Sequence, residues 1–247
     1  MIRWQLIGLV VGVYVLGLVA TAPASLIDTG LQQASEGRLR LTDTRGTLWS
    51  GKGQLELRDR MQRTAVAMSL AWRVLPMYFL RGQLRGEVVL DQAAKPFPVT
   101  LSSSKIEVAD ADINLPAAAL GLGEPKLAPL GLTGDVLLHV ARLALGRDAV
   151  EGNATLQWRG AGSAFTRVSP LGDYELRFVG EGKTVRVSLR TLQGPLQLNG
   201  QGSWTSGGKP AFLGTALIAP EQRQQLAPLM RMIAVERGEG NFELQLK

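Results

Sequence analysis

Two patterns of apolar residues divide this chain. Over Leu6–Ala24 the apolar residues run almost without a break, and no charged residue lies between Arg3 and Asp28. Beyond that run the pattern has period two. Gln54-Leu55-Glu56-Leu57-Arg58, Tyr174-Glu175-Leu176-Arg177-Phe178, Val185-Arg186-Val187-Ser188-Leu189-Arg190 and Phe242-Glu243-Leu244-Gln245-Leu246 all alternate. Alternation puts an apolar set on one face of a strand and a polar set on the other, which predicts antiparallel sheet with one wet side. Further strands are expected over 64–74, 84–91, 97–102, 133–145, 153–158, 195–204 and 211–218. Tight Gly-rich turns are expected at Gly51-Lys52-Gly53, Gly146-Arg147-Asp148, Glu181-Gly182-Lys183 and Gly207-Gly208-Lys209. The fold class is therefore mainly β, an elongated and mostly antiparallel sheet with a few short helices after an N-terminal transmembrane helix.

Helical spacing is confined to short stretches. Leu115–Leu120 reads as one or two turns with Pro116 at the first helical position. Pro220–Glu236 carries an apolar stripe of Leu226, Leu229, Met230 and Ile233, with a kink expected at Pro228. Phe242, Leu244 and Leu246 form the inward face of a last strand, so stripe and strand are expected to be buried together. Trp49, Trp72, Trp158 and Trp204 fall near strand ends or turns, where large aromatics close a core. Trp204 shares parity with Leu196 and Leu198 and is expected to face inward.

The apolar run is long enough to cross a bilayer, since roughly 20 residues in a helix span its hydrocarbon core. Arg3 lies on one side of it, and positive charge stays cytoplasmic. A cleaved signal peptide is the competing reading, with Ala20-Thr21-Ala22 and Ala22-Pro23-Ala24 as small-residue sites. Pro23 next to the cut and the length of the run fit a retained anchor better. Gly8 and Gly12 form a small-xxx-small pair, common by chance in such helices. The expected layout is a cytoplasmic tail at 1–5, a transmembrane anchor at 6–24, a short stalk at 25–36 and a β-rich domain at 37–247. Pro125 and Pro129 mark Gly121–Gly131 as an internal boundary between two halves.

Composition narrows the chemistry. There is no cysteine, which excludes disulfides, Cys-ligated zinc, iron–sulfur clusters and a thiol nucleophile. The net charge is +6, but the basic residues are dispersed and do not alternate with aromatics, so no nucleic-acid partner is expected. Gly46-Thr47-Leu48-Trp49-Ser50-Gly51-Lys52 resembles the start of a phosphate-binding loop. Gly53 stands where Ser or Thr should hold magnesium, and strands follow where a helix should start; a hairpin with Trp49 packed beneath it is expected. His139 is the single histidine and lacks a visible orienting partner. Ser102-Ser103-Ser104-Lys105 fits Ser-x-x-Lys trivially. Asp110 and Asp112 suit a turn leading into Asn114 and Pro116. No catalytic, cofactor-binding or metal-ligating residue is assigned, no cofactor is expected, and the chain reads as a non-enzyme.

Several stretches carry a family resemblance. They are Arg45-Gly46-Thr47-Leu48-Trp49-Ser50-Gly51, Leu70-Ala71-Trp72-Arg73-Val74-Leu75-Pro76, Leu171-Gly172-Asp173-Tyr174, Leu189–Trp204, Leu226-Ala227-Pro228-Leu229 and Gly240-Asn241-Phe242. Their order and spacing resemble the type II secretion system protein N family of Gram-negative bacteria. The resemblance implies a single-pass inner-membrane protein with a periplasmic domain, working in export of folded proteins across the outer membrane. It implies partners in the inner-membrane platform and the outer-membrane secretin, and no catalytic residues. In that setting the sheet edges and the polar outer face would be offered to other subunits. The alternative is a β-groove lipid-binding or lipid-bridging protein tethered to the inner membrane. An open apolar groove longer than about 20 Å would favour that alternative over a sealed core.

Overall fold

The computed structural model describes residues 14, 17–58, 64–123, 127–209, 211–238 and 241–246. Most of the expected anchor, Leu6–Ala24, lies outside the described residues. Among those described, no helix is long and apolar enough to cross a membrane. The chain forms two compact units, Met1–Asp91 and Gln92–Lys247. Gly121–Gly131 falls inside the second unit, and 124–126 lie outside the described residues. The strands on either side of it, Lys105–Pro116 and Leu132–Gly146, pair along almost their whole length.

In the first unit, helix α1 (Ser25–Ala34) precedes β1 (Leu39–Gly46), β2 (Ser50–Arg58), β3 (Thr64–Leu75) and β4 (Gln83–Leu90), each antiparallel to the next. A 3-10 turn, Pro76–Arg81, joins β3 to β4. Gly51-Lys52-Gly53 is not the turn that its composition suggests; it lies within β2, and the β1–β2 reversal is made at Thr47–Trp49. Nor does α1 stand off as a stalk. Ile27 and Leu31 pack on Leu41 and Trp72, the Leu41 N–H donates to Asp28 Oδ1 at 2.7 Å and the Leu39 N–H to Ser35 Oγ at 2.9 Å. These two acceptors satisfy β1 amides that have no strand beside them, so the helix closes that edge of the sheet.

The second unit is a larger antiparallel sheet: β5 (Phe97–Ser102), β6 (Lys105–Pro116), β7 (Leu132–Gly146), β8 (Val150–Ser163), β9 (Gly172–Gly182), β10 (Thr184–Gln193), β11 (Leu196–Thr205) and β12 (Ala211–Ile218), paired in chain order. Helix α3 (Arg223–Ile233) and the short strand β13 (Val235–Gly238) follow, and β14 (Asn241–Leu246) inserts between β12 and β13. The expected helix at 115–120 is displaced. Leu115 and Pro116 finish β6, a 3-10 turn occupies Ala117–Ala119, and α2 (Leu120–Gly123) is one turn long. Asp110 and Asp112 sit in β6, not in a turn; Asp110 takes a left-handed conformation (φ 50°), which a short polar side chain tolerates.

The core of this unit lies under α3. Leu226, Leu229 and Met230 are buried against Leu171, Tyr174, Leu196, Ala216, Ile218 and Phe242, so the helical stripe and the last strand are buried together, as their spacing predicts. Ile233, Leu244 and Leu246 belong to the same expectation, but their side chains lie outside the described set. Pro228 sits inside the helix. Trp204 departs from expectation. It does point to the same face as Leu196 and Leu198, but it lies near the end of β11 remote from α3, and it is 58% exposed among the described residues. Parity fixes a side chain's face, not whether anything packs on that face.

The contrast yields a stability test. Leu226→Ala should lower unfolding free energy by about 2–5 kcal/mol, as for other buried leucines. Trp204→Ala should change it by no more than about 0.5 kcal/mol, the ordinary range of surface substitutions. Urea denaturation of the purified full chain measures both, and equal losses would contradict this placement of the core.

Candidate functional site

The chemical candidates seen in the sequence do not converge. Arg45–Lys52 forms the β1–β2 hairpin, closed by Thr47 N–H donating to Ser50 O at 2.9 Å. Ser102 Oγ accepts from the Lys105 N–H at 3.2 Å and so ties the β5–β6 turn. His139 does have a partner. Asp112 stands directly across from it in the β6–β7 register, and Asp112 Oδ1 lies 2.5 Å from His139 Nδ1. The partner is twenty-seven residues away in sequence, so only the pairing register reveals it. Thr155 stands opposite His139 on β8, but the group lies on the polar outer face with the His139 side chain half exposed. Among the described residues, no group of three or more His, Asp or Glu is arranged to hold a metal ion.

The same outer face holds a deeper charge cluster. Glu175 on β9 is buried, and its Oε1 accepts from Arg177 Nε at 2.8 Å and Arg190 Nε at 2.9 Å, while Gln157 Nε2 approaches Oε2 at 3.4 Å. Desolvation pushes the carboxyl pKa up. The Arg177 hydrogen bond and the charges of Arg177 and Arg190, with help from Gln157, outweigh it and hold the group below its usual value. Both guanidinium groups remain more than half exposed, so the acid is sunk and the cations face outward. On the opposite face the Tyr174 hydroxyl donates to Leu196 O at 2.9 Å; burial first, and then Asp173, raises its pKa.

The most specific construction is at the β1–β2 hairpin. The Leu48 N–H donates to Ala22 O at 2.8 Å, the Ala24 N–H to Gly46 O at 3.3 Å, and Pro23 bridges Thr47. The Trp49 indole donates to Val19 O at 2.8 Å. Beneath the hairpin the Trp72 indole donates to Leu48 O at 3.2 Å, and the Val74 N–H donates to Trp49 O at 2.6 Å. The hairpin therefore grips residues 19–24, where the continuous apolar run ends. Gly51 makes this possible: a Cβ there would lie 2.5 Å from Trp72 Cζ2 and 2.7 Å from Arg45 O. A matching construction joins two other motifs in the second unit. The Leu196 N–H donates to Leu171 O at 3.1 Å, Asp173 accepts from Gln193 Nε2 at 2.6 Å and the Gly160 N–H at 2.7 Å, and a Cβ on Gly194 would meet the Gly172 Cα at 2.3 Å.

Residues 37–245 match the profile of the family described as Type II secretion system (T2SS), protein N, and the chain belongs to that family. No curated protein and no solved structure gives a significant match. The stretches that carry the resemblance are packing elements: Trp72 lies under the 45–51 hairpin, and Leu171–Tyr174 docks on Gln193–Leu196. Sequence reading found the motifs but not that they meet in pairs, because their contacts cross tens of residues.

Gly51→Ala should destabilise the chain by about 1–3 kcal/mol, the usual cost of forcing atoms into a filled site, read as a lower urea midpoint. The sunk carboxylate predicts a pH effect. Its folded pKa is lowered, so its contribution is complete above the ordinary carboxylate pKa of about 4.3 and is lost as pH falls through the lower folded value. Glu175→Gln should therefore reduce thermal stability at pH 7 and narrow the gap to wild type progressively below pH about 4. A gap that stays constant down to pH about 2 would contradict this account.

Proposed function

We propose that the chain is a non-enzymatic subunit of the type II secretion machinery, anchored in the inner membrane through Leu6–Ala24. Its tail at 1–5 is cytoplasmic, its segment 25–36 leads out of the bilayer and its region 37–247 lies in the periplasm. The family match over residues 37–245 carries the secretion assignment. The uncharged run between Arg3 and Asp28 and the grip of the hairpin on residues 19–24 support the anchor, because exposed apolar side chains such as Tyr14, Leu18 and Val19 call for an apolar surrounding. The subunit works by presenting surfaces. Its partners are other secretion subunits of the inner-membrane platform and the secretin. The β1 edge is closed by α1, so the outward guanidinium groups of β9 and β10 are the better docking feature.

The lipid-groove reading is the weaker one. The inner face of the second unit is dry under α3. At the remote end Leu101, Ile106 and Leu145 are exposed and stand side by side in register. Those three strands span only about 10 Å, but Trp204 is also exposed on the inner face of β11, so the family match, not the extent of this face, ranks secretion first.

Two measurements test the assignment. Protease added to intact spheroplasts should digest the 37–247 region and spare a short N-terminal fragment. A photo-crosslinker at position 177 or 190 should capture a secretion-system subunit in cells. Protection of the domain, or capture of lipid alone from both positions, would overturn the proposal.

A further inference from the structure

The β3–β4 connection carries the most apolar surface turn of the first unit. Its sequence is Pro76-Met77-Tyr78-Phe79-Leu80-Arg81, a 3-10 turn in which Met77 is 71% exposed and the preceding Leu75 is 36% exposed. Connections on a soluble surface are normally polar, so the exposed Leu75 and Met77 need a cause.

Its position supplies one. β3 runs antiparallel to β2, with Arg73 opposite Ser50 and Trp72 opposite Gly51. The end of β3 is therefore at the hairpin end of the sheet, and the Val74 N–H bonds the Trp49 carbonyl there. The same hairpin holds Val19–Ala24 through Trp49 and Leu48. The apolar turn and the exit of the apolar run thus lie at one end of one compact unit. α1 leads away from that end, back along the sheet to the start of β1, and takes Gln33 with it.

The charges around the turn fit the same surrounding. Arg45 and Lys52 are exposed and directly opposite each other in the β1–β2 register. Two cations so placed repel each other unless an anion lies nearby. Arg73 is exposed next to the turn, and the Arg85 guanidinium lies over the Tyr78 ring, 5.5 Å from its centroid. Glu87 stands opposite Arg73, and Asp43 and Asp91 line the same cleft as Arg45 and Lys52, so Arg45, Lys52, Arg73 and Arg85 outnumber the carboxylates at this end by one. Apolar and aromatic side chains ringed by cations are what a phospholipid interface selects, with the chains below the headgroups and the cations among the phosphates.

We propose that the Pro76–Arg81 turn inserts into the membrane interface beside the anchor, so that the first unit sits on the bilayer at two points. The partner is the phospholipid surface, with Met77 below the headgroups and Arg45, Lys52 and Arg73 at phosphate level. This rests on the anchored reading above. Two points of contact fix the tilt of the unit, which a single helix followed by a free linker would not.

The chain has no cysteine, so single cysteines can be labelled specifically. Met77→Cys, Val15→Cys in the middle of the apolar run, and Gln33→Cys on exposed α1 each receive an NBD fluorophore. The full-length protein is reconstituted into vesicles of phosphatidylethanolamine and phosphatidylglycerol, with or without lipid bearing an acyl-chain nitroxide, either shallow or near the chain end. The Met77 label should lose about half its emission to the shallow nitroxide, because an interfacial segment lies about 5–10 Å into the headgroup and acyl boundary, the Val15 label should lose as much to a nitroxide near the acyl-chain end, and the Gln33 label should be unaffected by either. Quenching at Val15 with Met77 behaving like Gln33 overturns the second contact and leaves the anchor intact. No quenching at Val15 overturns the anchor itself and the proposal with it. Met77 is exposed, so its replacement leaves folding undisturbed and the readout interpretable.

Discussion

The hydrogen bond from the Trp72 indole to the Leu48 carbonyl organises the first unit. A hairpin of this length has no core of its own, and a two-stranded ribbon is marginal in water. Trp72 supplies the missing third strand and the apolar mass at once: its ring lies beneath Gly51, its N–H holds the loop, and Ala24 and Leu41 complete the packing. With the hairpin rigid, its outward amides and the Trp49 indole can receive residues 19–24 as a fixed seat.

Much of the fold was legible because a half-wet sheet writes its period into the sequence. The alternating runs at 54–58, 174–178, 185–190 and 242–246 are all strands, as are most of the expected segments, and the turns at 146–148, 181–183 and 207–209 fall where Gly-rich polar residues put them. The failures have local causes. β1 leaves no period-two signal because Thr-Asp-Thr-Arg breaks its alternation, with Asp43 in a left-handed conformation. Asp110 and Asp112 look like turn formers because their pairing partners on β7 are distant in sequence. The exposure of Trp204 leaves no local signal because nothing near it in sequence reports the extent of α3.

The candidate site was legible in part. Its residues are the family-like stretches, but their meaning is spatial. Arg45–Gly51 matters through Leu70–Pro76, and Leu171–Tyr174 through Gln193–Leu196. These are steric and hydrogen-bonding requirements.

The strand order has a consequence for how the molecule is made. Within each unit nearly every strand pairs with its neighbour in sequence, so contacts form in the order in which residues leave the ribosome. α1 is present before β1, and the first edge is guarded before there is a sheet to guard. The exception is β14, the final strand, which slots between β12 and β13. Until it arrives, the Ala211–Ile218 strand keeps a bare edge and α3 has no Phe242 to pack on. The growing chain is therefore most open to wrong pairing between the synthesis of Ala211–Ile218 and that of Asn241–Leu246, and a stop codon before Asn241 would leave the molecule in that state.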